Sequence, residues 1–284
     1  MTRVVIHVPF PTMTFSPVYV AHDAGLLASE GIKGDILSKS ATRRYIEILS
    51  QESPDFIIPT TFATRAFAKG VRPMMVCTIF NQVTHRLVAQ PEITEMGQLK
   101  GKTVMVNALG GTSDLEARHV MQSEGFDPKH VSFVEAGPGL EVAQVDALRS
   151  RDVDAIASSS PFWLICEREG YNVLGDSVNV CGNWTANGLF GSEVFLRHEP
   201  DLVKALRNAF GKAFDLIKSD PAEVAAIIMR NIPDMEEDIV RTLVQRIGPG
   251  WDPTIDLPAL ERFVTLFCAA NGLGHVNASE MVPG

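Results

Sequence analysis

No stretch of this chain approaches the roughly 20 consecutive apolar residues that a membrane-spanning helix requires. Basic residues are in deficit: 25 Lys and Arg against 34 Asp and Glu leave a formal charge of -9 and a pI near 5.3. That balance argues against nucleic acid, which is gripped by Lys/Arg-rich surfaces. Cysteine is sparse and scattered, at 77, 166, 181 and 268, with no CxxC and no Cys/His spacing suited to a metal. The seven histidines do not cluster, so neither a metal nor a cofactor is expected. A GxGxxG dinucleotide fingerprint is missing too. What is present is an ordinary globular composition, 45% hydrophobic and 21% charged, with no low-complexity tract.

The chain opens Met1-Thr2-Arg3 and passes at once into Val4-Val5-Ile6-His7-Val8 before Pro9. This run is too short for the apolar core of a signal peptide and reads as a first strand. The expectation is a cytoplasmic protein as written, or a periplasmic or extracellular one if an export sequence was trimmed.

One pattern is written twice. Leu49-Ser50, Asp55-Phe56-Ile57-Ile58, Thr60-Thr61, Phe62 and Gly70 return as Leu148-Arg149-Ser150, Asp154-Ala155-Ile156-Ala157, Ser158-Ser159-Ser160, Phe162 and Gly170. Leu to Asp is six positions in both copies, and Phe to Gly is eight. Each copy reads as a helix end, a short buried strand, a hydroxyl-bearing turn and a new helix. Two such units suggest two similar α/β lobes facing across a cleft.

The surrounding chain fits that reading. Strands near 4–8, 33–37, 55–58 and 73–79 alternate with helices near 17–29, 42–50 and 62–69. A second set has strands at 87–89, 103–106, 131–134 and 153–157, with helices near 114–123, 140–150 and 161–169. From Glu199 the chain reads as helical, with Asp220-Pro221 as N-cap and first residue of one helix. Asp234 and Glu237 resemble a capping box, and Asn271-Gly272 closes a helix from Leu257 to Ala270. Small polar residues at 80–83 and 181–188 read as crossings, giving lobe one as 1–82 plus 188–284 and lobe two as 83–187.

Ligands of open α/β sheets bind beyond the carboxyl ends of the strands. Four turns there carry hydroxyls. Phe10, Thr12, Thr14 and Phe15 lead to Ser16-Pro17, and Pro59 leads to Thr60-Thr61. Gly110-Gly111 leads to Thr112-Ser113, and Ser158-Ser159 to Ser160-Pro161. Hydroxyls, free amides and helix dipoles would suit an oxyanion or a polar heterocycle. The competing reading is that each Ser or Thr simply caps its helix. Ser113 with Glu116 could form a capping box, and Asp114 and Glu116 put negative charge there. Phe62 and Phe162 read as core. Phe15 and Trp184 are the candidates for stacking on a flat ligand. Ser38 and Asn81 complete the candidate ligand set. Arg43 and Arg44 either reach an acidic ligand group or lie on a solvated helix face.

Phe15-Ser16-Pro17-Val18-Tyr19-Val20-Ala21, Gly25-Leu26-Leu27 and Glu30-Gly31-Ile32 resemble the opening of the nitrate/sulfonate/taurine substrate-binding proteins of ABC importers. That SsuA/THI5-like family also includes the thiamine-pyrimidine synthases. Leu99 to Val104, Gly110 to Ser113 and Val145 to Ala155 are similar to its second lobe, so the resemblance spans about residues 1–230. It implies an α/β, two-lobed periplasmic-binding-protein-like fold of type II, with a central ligand cleft and a helical C-terminal tail. The turn Ser38-Lys39-Ser40-Ala41-Thr42 departs from the family's glycine-rich pattern. The synthases' histidine and multi-cysteine motifs are not visible.

The leading expectation is therefore a solute-binding protein closing by hinge motion on a small polar, anionic or heteroaromatic molecule for ABC-type uptake. Its partners would be that ligand and an ABC permease. The rival is a cytoplasmic enzyme on the same fold, a decarboxylase, carbon–sulfur lyase or pyrimidine-biosynthesis type. His7 and Cys181 are its only plausible entries, and neither has an identifiable partner.

Overall fold

The structure is a computed structural model. It describes the chain apart from residues 10, 39–40, 83–84, 137–140, 178–181, 233–234 and 284, and apart from the side chains of 38, 41–43, 82 and 249. The elements run β1 (Thr2–Val8), α1 (Ser16–Asp23), α2 (Leu26–Ser29), β2 (Ile32–Ser38), α3 (Ala41–Ser50), β3 (Asp55–Pro59), α4 (Thr60–Ala68) and β4 (Pro73–Gln82). Next come β5 (Arg86–Ala89), β6 (Thr103–Val106), α5 (Thr112–Ser123), β7 (Ser132–Glu135), α6 (Glu141–Arg149), β8 (Ala155–Ser158), α7 (Phe162–Arg168) and β9 (Asn172–Asp176). The chain finishes with β10 (Asn183–Ser192), α8 (Glu193–His198), α9 (Pro200–Ser219), α10 (Pro221–Asn231), α11 (Glu237–Ile247) and α12 (Leu257–Ala270).

These form two compact units, Met1–Gln82 with Trp184–Gly284, and Val83–Asn183. In the first unit, the sheet order is β2-β1-β3-β10-β4. Strands β1, β2 and β3 are parallel, while β10 runs antiparallel to β3. Val4, Ile6, Val8, Phe56, Ile57 and Ile58 are buried there, as continuous apolar strands covered on both faces must be. The apolar face of α9 is fully inward: Leu202, Leu206, Ala209, Phe210, Ala213, Phe214 and Ile217 are all buried. In the second unit, the order is β7-β6-β8-β5-β9, with β6, β7 and β8 parallel and β5 antiparallel to β8 and β9. Leu87, Leu99, Val104, Val120, Met121 and Ala155 form its core.

The duplicated pattern occupies equivalent places, α3–β3–α4 and α6–β8–α7. Both copies end alike. Gly70 and Gly170 take φ of 87° and 92°, a left-handed conformation that costs glycine little. The amides of Val71 and Tyr171 then reach back to the carbonyls of Ala66 and Cys166.

Several boundaries differ from the sequence reading. The helix expected over 17–29 is two, because Gly25 breaks it at φ 70°. The second crossing, expected as loose chain through 188, is the strand β10 from Asn183 onward. Asn187-Gly188 reads as a turn signal, yet the register between β10 and β3 merely slips there. Gly188 is required because a Cβ would lie 2.5 Å from Met75 Cε and 2.8 Å from Phe190 Cε2. Asp220 does cap α10, accepting from the Glu223 amide at 3.0 Å. Asp234 lies outside the described residues, and α11 begins at Glu237.

Candidate functional site

Strand register decides which turns share an edge in the first unit. Val8 pairs with Ser38, His7 with Ile57, and Asn187 with Pro59. The turns after β1 and β3, the end of β2 and the start of β10 therefore lie along one edge of the sheet. Thr12, Thr14 and Phe15 are buried in the short turn entering α1. Ser16 does not cap that helix. It is the first helical residue, and its hydroxyl donates to the Met13 carbonyl at 2.7 Å.

Thr60 is likewise the first residue of α4 rather than its cap. Its fully buried Oγ1 has no hydrogen-bond partner among the described residues, and Thr61 beside it is half-buried. Asn81 Oδ1, next to the last residue of β4, and Thr185 Oγ1, near the start of β10, are also buried and unpartnered. Sequence reasoning did not single out Thr185, since only the pairing of β10 with the end of β3 brings it to this edge. Trp184 packs edge-on against Phe263 with centroids 5.7 Å apart, so its ring belongs to the core of its own unit. The half-buried aromatic pair is instead Tyr45 and Phe62, stacked at 4.8 Å and 16°. Arg44 is held by Glu47 at 2.8 Å on an exposed face. Phe10 and the side chains of Ser38 and Arg43 lie outside the described residues.

In the second unit, Val104 pairs with Ala155, and Arg86 with Ser158, so the turns after β6 and β8 meet the start of β5. The loop after β6 uses its own acceptors. Ser113 Oγ accepts from the Asn107 amide at 2.9 Å, Glu135 from Leu109 at 2.7 Å, and Asp114 from Gly110 at 2.8 Å. The Gly111 amide donates to the Ala108 carbonyl, and Thr112 is half-buried as the first residue of α5. Two amides of this loop, those of Leu109 and Gly110, are thus occupied by carboxylates of the chain itself.

The expected capping box at Ser113 and Glu116 is not formed. Glu116, buried, accepts instead from His85 Nδ1 at 2.7 Å. Burial alone would push the His85 pKa down. The charge and hydrogen bond of Glu116, with Glu141 adding, carry it the other way, above its ordinary value.

Ser160 is not an N-cap either, because α7 begins at Phe162 and Pro161 holds the cap position. Its hydroxyl accepts from Trp163 Nε1 at 2.9 Å. Arg86 lies 3.5 Å over the Trp163 ring and pairs with Asp176 at 2.7 Å. Ser159 donates to Glu141 at 3.0 Å, and Ser158 Oγ is buried without a partner. Glu141 went unnoticed in the sequence because the spacing of Asn107 and Ser159 around it is not local.

The two catalytic entries fare differently. His7 sits 3.2 Å from Asp55. Cys181 lies outside the described residues. Cys77 and Cys166 are buried, and burial pushes both thiols up to about 12. Among the described residues, no group of three His, Cys, Asp or Glu could hold a metal ion, and no helix is long and apolar enough to cross a membrane.

Residues 12–224 match the family model described as NMT1/THI5 like. YtlA of Bacillus subtilis is 20% identical over 257 residues, 87% of this chain and 75% of YtlA. The periplasmic aliphatic sulphonate binding protein SsuA of Escherichia coli superposes with a TM-score of 0.80 at 15% identity, covering 99% of this chain and 96% of SsuA. The ligand-binding component of an ABC-type import system from Staphylococcus aureus gives 0.80 at 14%, over 100% and 97%. The desulfurization enzyme DSZB gives 0.74 at 18%, over 98% and 95%. At such identities these structures establish the fold alone, that of the periplasmic binding proteins.

Proposed function

Because the chain belongs to the NMT1/THI5-like family, we propose that it is a solute-binding protein for a small polar organic molecule, held by strand-end turns. The observation that carries the reading is where buried polar atoms go unpartnered. Of nine such atoms among the described residues, Thr60 Oγ1 and Thr185 Oγ1 lie on the carboxyl edge of one sheet, and Asn107 Oδ1 and Ser158 Oγ on that of the other. Buried polar groups are nearly always hydrogen-bonded, and each orphan costs about 1–3 kcal/mol. Their collection at the edge where open α/β sheets take ligands is economically explained by a ligand that supplies the missing partners. Proteins such as SsuA, with which the chain shares its fold, support an ABC-importer role with a permease partner and a periplasmic or extracellular place of work.

A thermal-shift screen tests this directly. A ligand at 100 times its dissociation constant adds about 2.7 kcal/mol of stability. Thr60→Val, which removes the orphan hydroxyl while keeping its shape, should weaken the hit at least about tenfold with the apo protein no less stable. Unchanged affinity would refute the site. The enzyme reading is favoured by DSZB, which uses this fold for catalysis. Turnover of any hit separates the two.

A further inference from the structure

Resting on the solute-binding reading, we infer that the second unit receives a cationic N–H donor group of the ligand, an ammonium or amidinium, on Glu141 and Asn107. The hydrogen-bonding groups at this strand edge are unbalanced toward acceptors. Glu141 is the first residue of α6 and only 6% exposed. It accepts from Asn107 Nδ2 at 3.1 Å and from Ser159 Oγ at 3.0 Å, both on Oε1. Its Oε2 accepts nothing among the described residues.

Asn107 Oδ1 is buried and unpartnered. Its orientation is not open to reversal, because a carboxylate partner requires the amide's NH2 end. The Oδ1 atom is therefore an acceptor, and lies within an amide's width of the carboxylate. One turn further along α6, Gln144 is fully buried. Its Nε2 donates to the carbonyls of Met105 and Ala157, at 3.4 and 3.1 Å. Two carbonyl partners fix that amide in the same way, so its orphaned Oε1 is again an acceptor.

Three acceptor oxygens on one strand edge thus have no donor among the described residues. Glu141 also differs from its acidic neighbours. Asp114 is paired with Arg118 at 2.7 Å and Glu116 with His85, whereas the donors on Glu141 are neutral. His85 feels the charge of Glu141 but gives its proton to Glu116; a buried carboxylate whose own donors are neutral attracts a further cation, and it repels an oxyanion. The Leu109 and Gly110 amides of the neighbouring loop are already spent on Glu135 and Asp114. This side of the site therefore selects against sulfonate-like and nitrate-like groups.

The test is a thermal-shift and calorimetric panel on the whole protein. Benzamidine, guanidinium and butylammonium are the N–H cations, tetramethylammonium is a cation without N–H, and methanesulfonate, nitrate and benzoate are the anions. At least one N–H cation should bind, tetramethylammonium and the anions should not, and Glu141→Gln should weaken the cation at least tenfold. The glutamine keeps the acceptor for Asn107 and Ser159, and its apo melting temperature reports that it folds. Anion binding without cation binding overturns the inference and leaves the solute-binding reading intact. Silence across the panel overturns the inference, while a hit from a wider neutral library would still uphold that reading. Equal cation affinity in Glu141→Gln also overturns it.

Discussion

His85 donates its Nδ1 proton to Glu116 Oε2 at 2.7 Å, joining the start of β5 to the second turn of α5. Ser177 Oγ donates to the same oxygen at 3.3 Å. The pair ties α5 directly to the residue just before β5. Its imidazole titrates above the ordinary histidine value. A raised folded pKa stabilises fully below the unfolded value, near 6.5, and the contribution disappears as pH rises through the folded value.

His85→Gln should therefore be most destabilising at low pH. Denaturant unfolding of both proteins should show a gap of about 3 kcal/mol near pH 6, the low end for breaking a buried pair, since Ser177 still serves Glu116. The gap should shrink as pH rises above the ordinary histidine value. A pH-independent gap would mean the imidazole is neutral in the folded protein.

Gly188→Ala should destabilise by about 2 kcal/mol, in the range for overpacking a core. The new methyl would meet Met75 and Phe190 at less than 3.0 Å. Urea melts would check it, and the double variant Gly188→Ala with Met75→Ala should recover part of the loss by making room.

Cysteine reactivity provides a third expectation. In a Cys181→Ser variant, a thiol reagent at about pH 8 should label Cys77 and Cys166 only after denaturant is added. Both are buried, with thiols pushed up to about 12, and the thiolate is the reactive form. Rapid labelling of either in the native protein would contradict the described burial.

Asp220→Ala should cost about 1 kcal/mol, the usual effect of losing a helix N-cap. Its carboxylate accepts from the Glu223 amide, and Pro221 follows in the first turn. Thermal melts would show a modest drop, and Asp220→Ser should restore most of it.

The architecture was legible because buried strands and amphipathic helices announce themselves locally. The repeat of Asp55 and Asp154, with Gly70 and Gly170 behind them, marked two related units before any coordinates. The hydroxyls were harder to read. Ser16, Thr60 and Ser160 each precede or follow a proline at a helix start, a pattern that suggests capping. Yet each helix begins one residue away from where a cap would need it: the Ser16 hydroxyl donates to Met13, that of Ser160 accepts from Trp163, and that of Thr60 has no partner among the described residues. Non-local partners were invisible: nothing near Glu141 in sequence points to Asn107 or Ser159. Strand β10 was obscured by its own glycines, which are there for packing and imitate a turn.

The position of β10 in the first sheet has a consequence for synthesis. It lies between β3 and β4, yet the ribosome makes it roughly a hundred residues after them. The early strands cannot complete their hydrogen bonding while the chain emerges, whereas the uninterrupted stretch 83–183 has all its strands at hand. The segment in the middle of the polypeptide is thus able to mature before its beginning, reversing the usual N-to-C order of assembly.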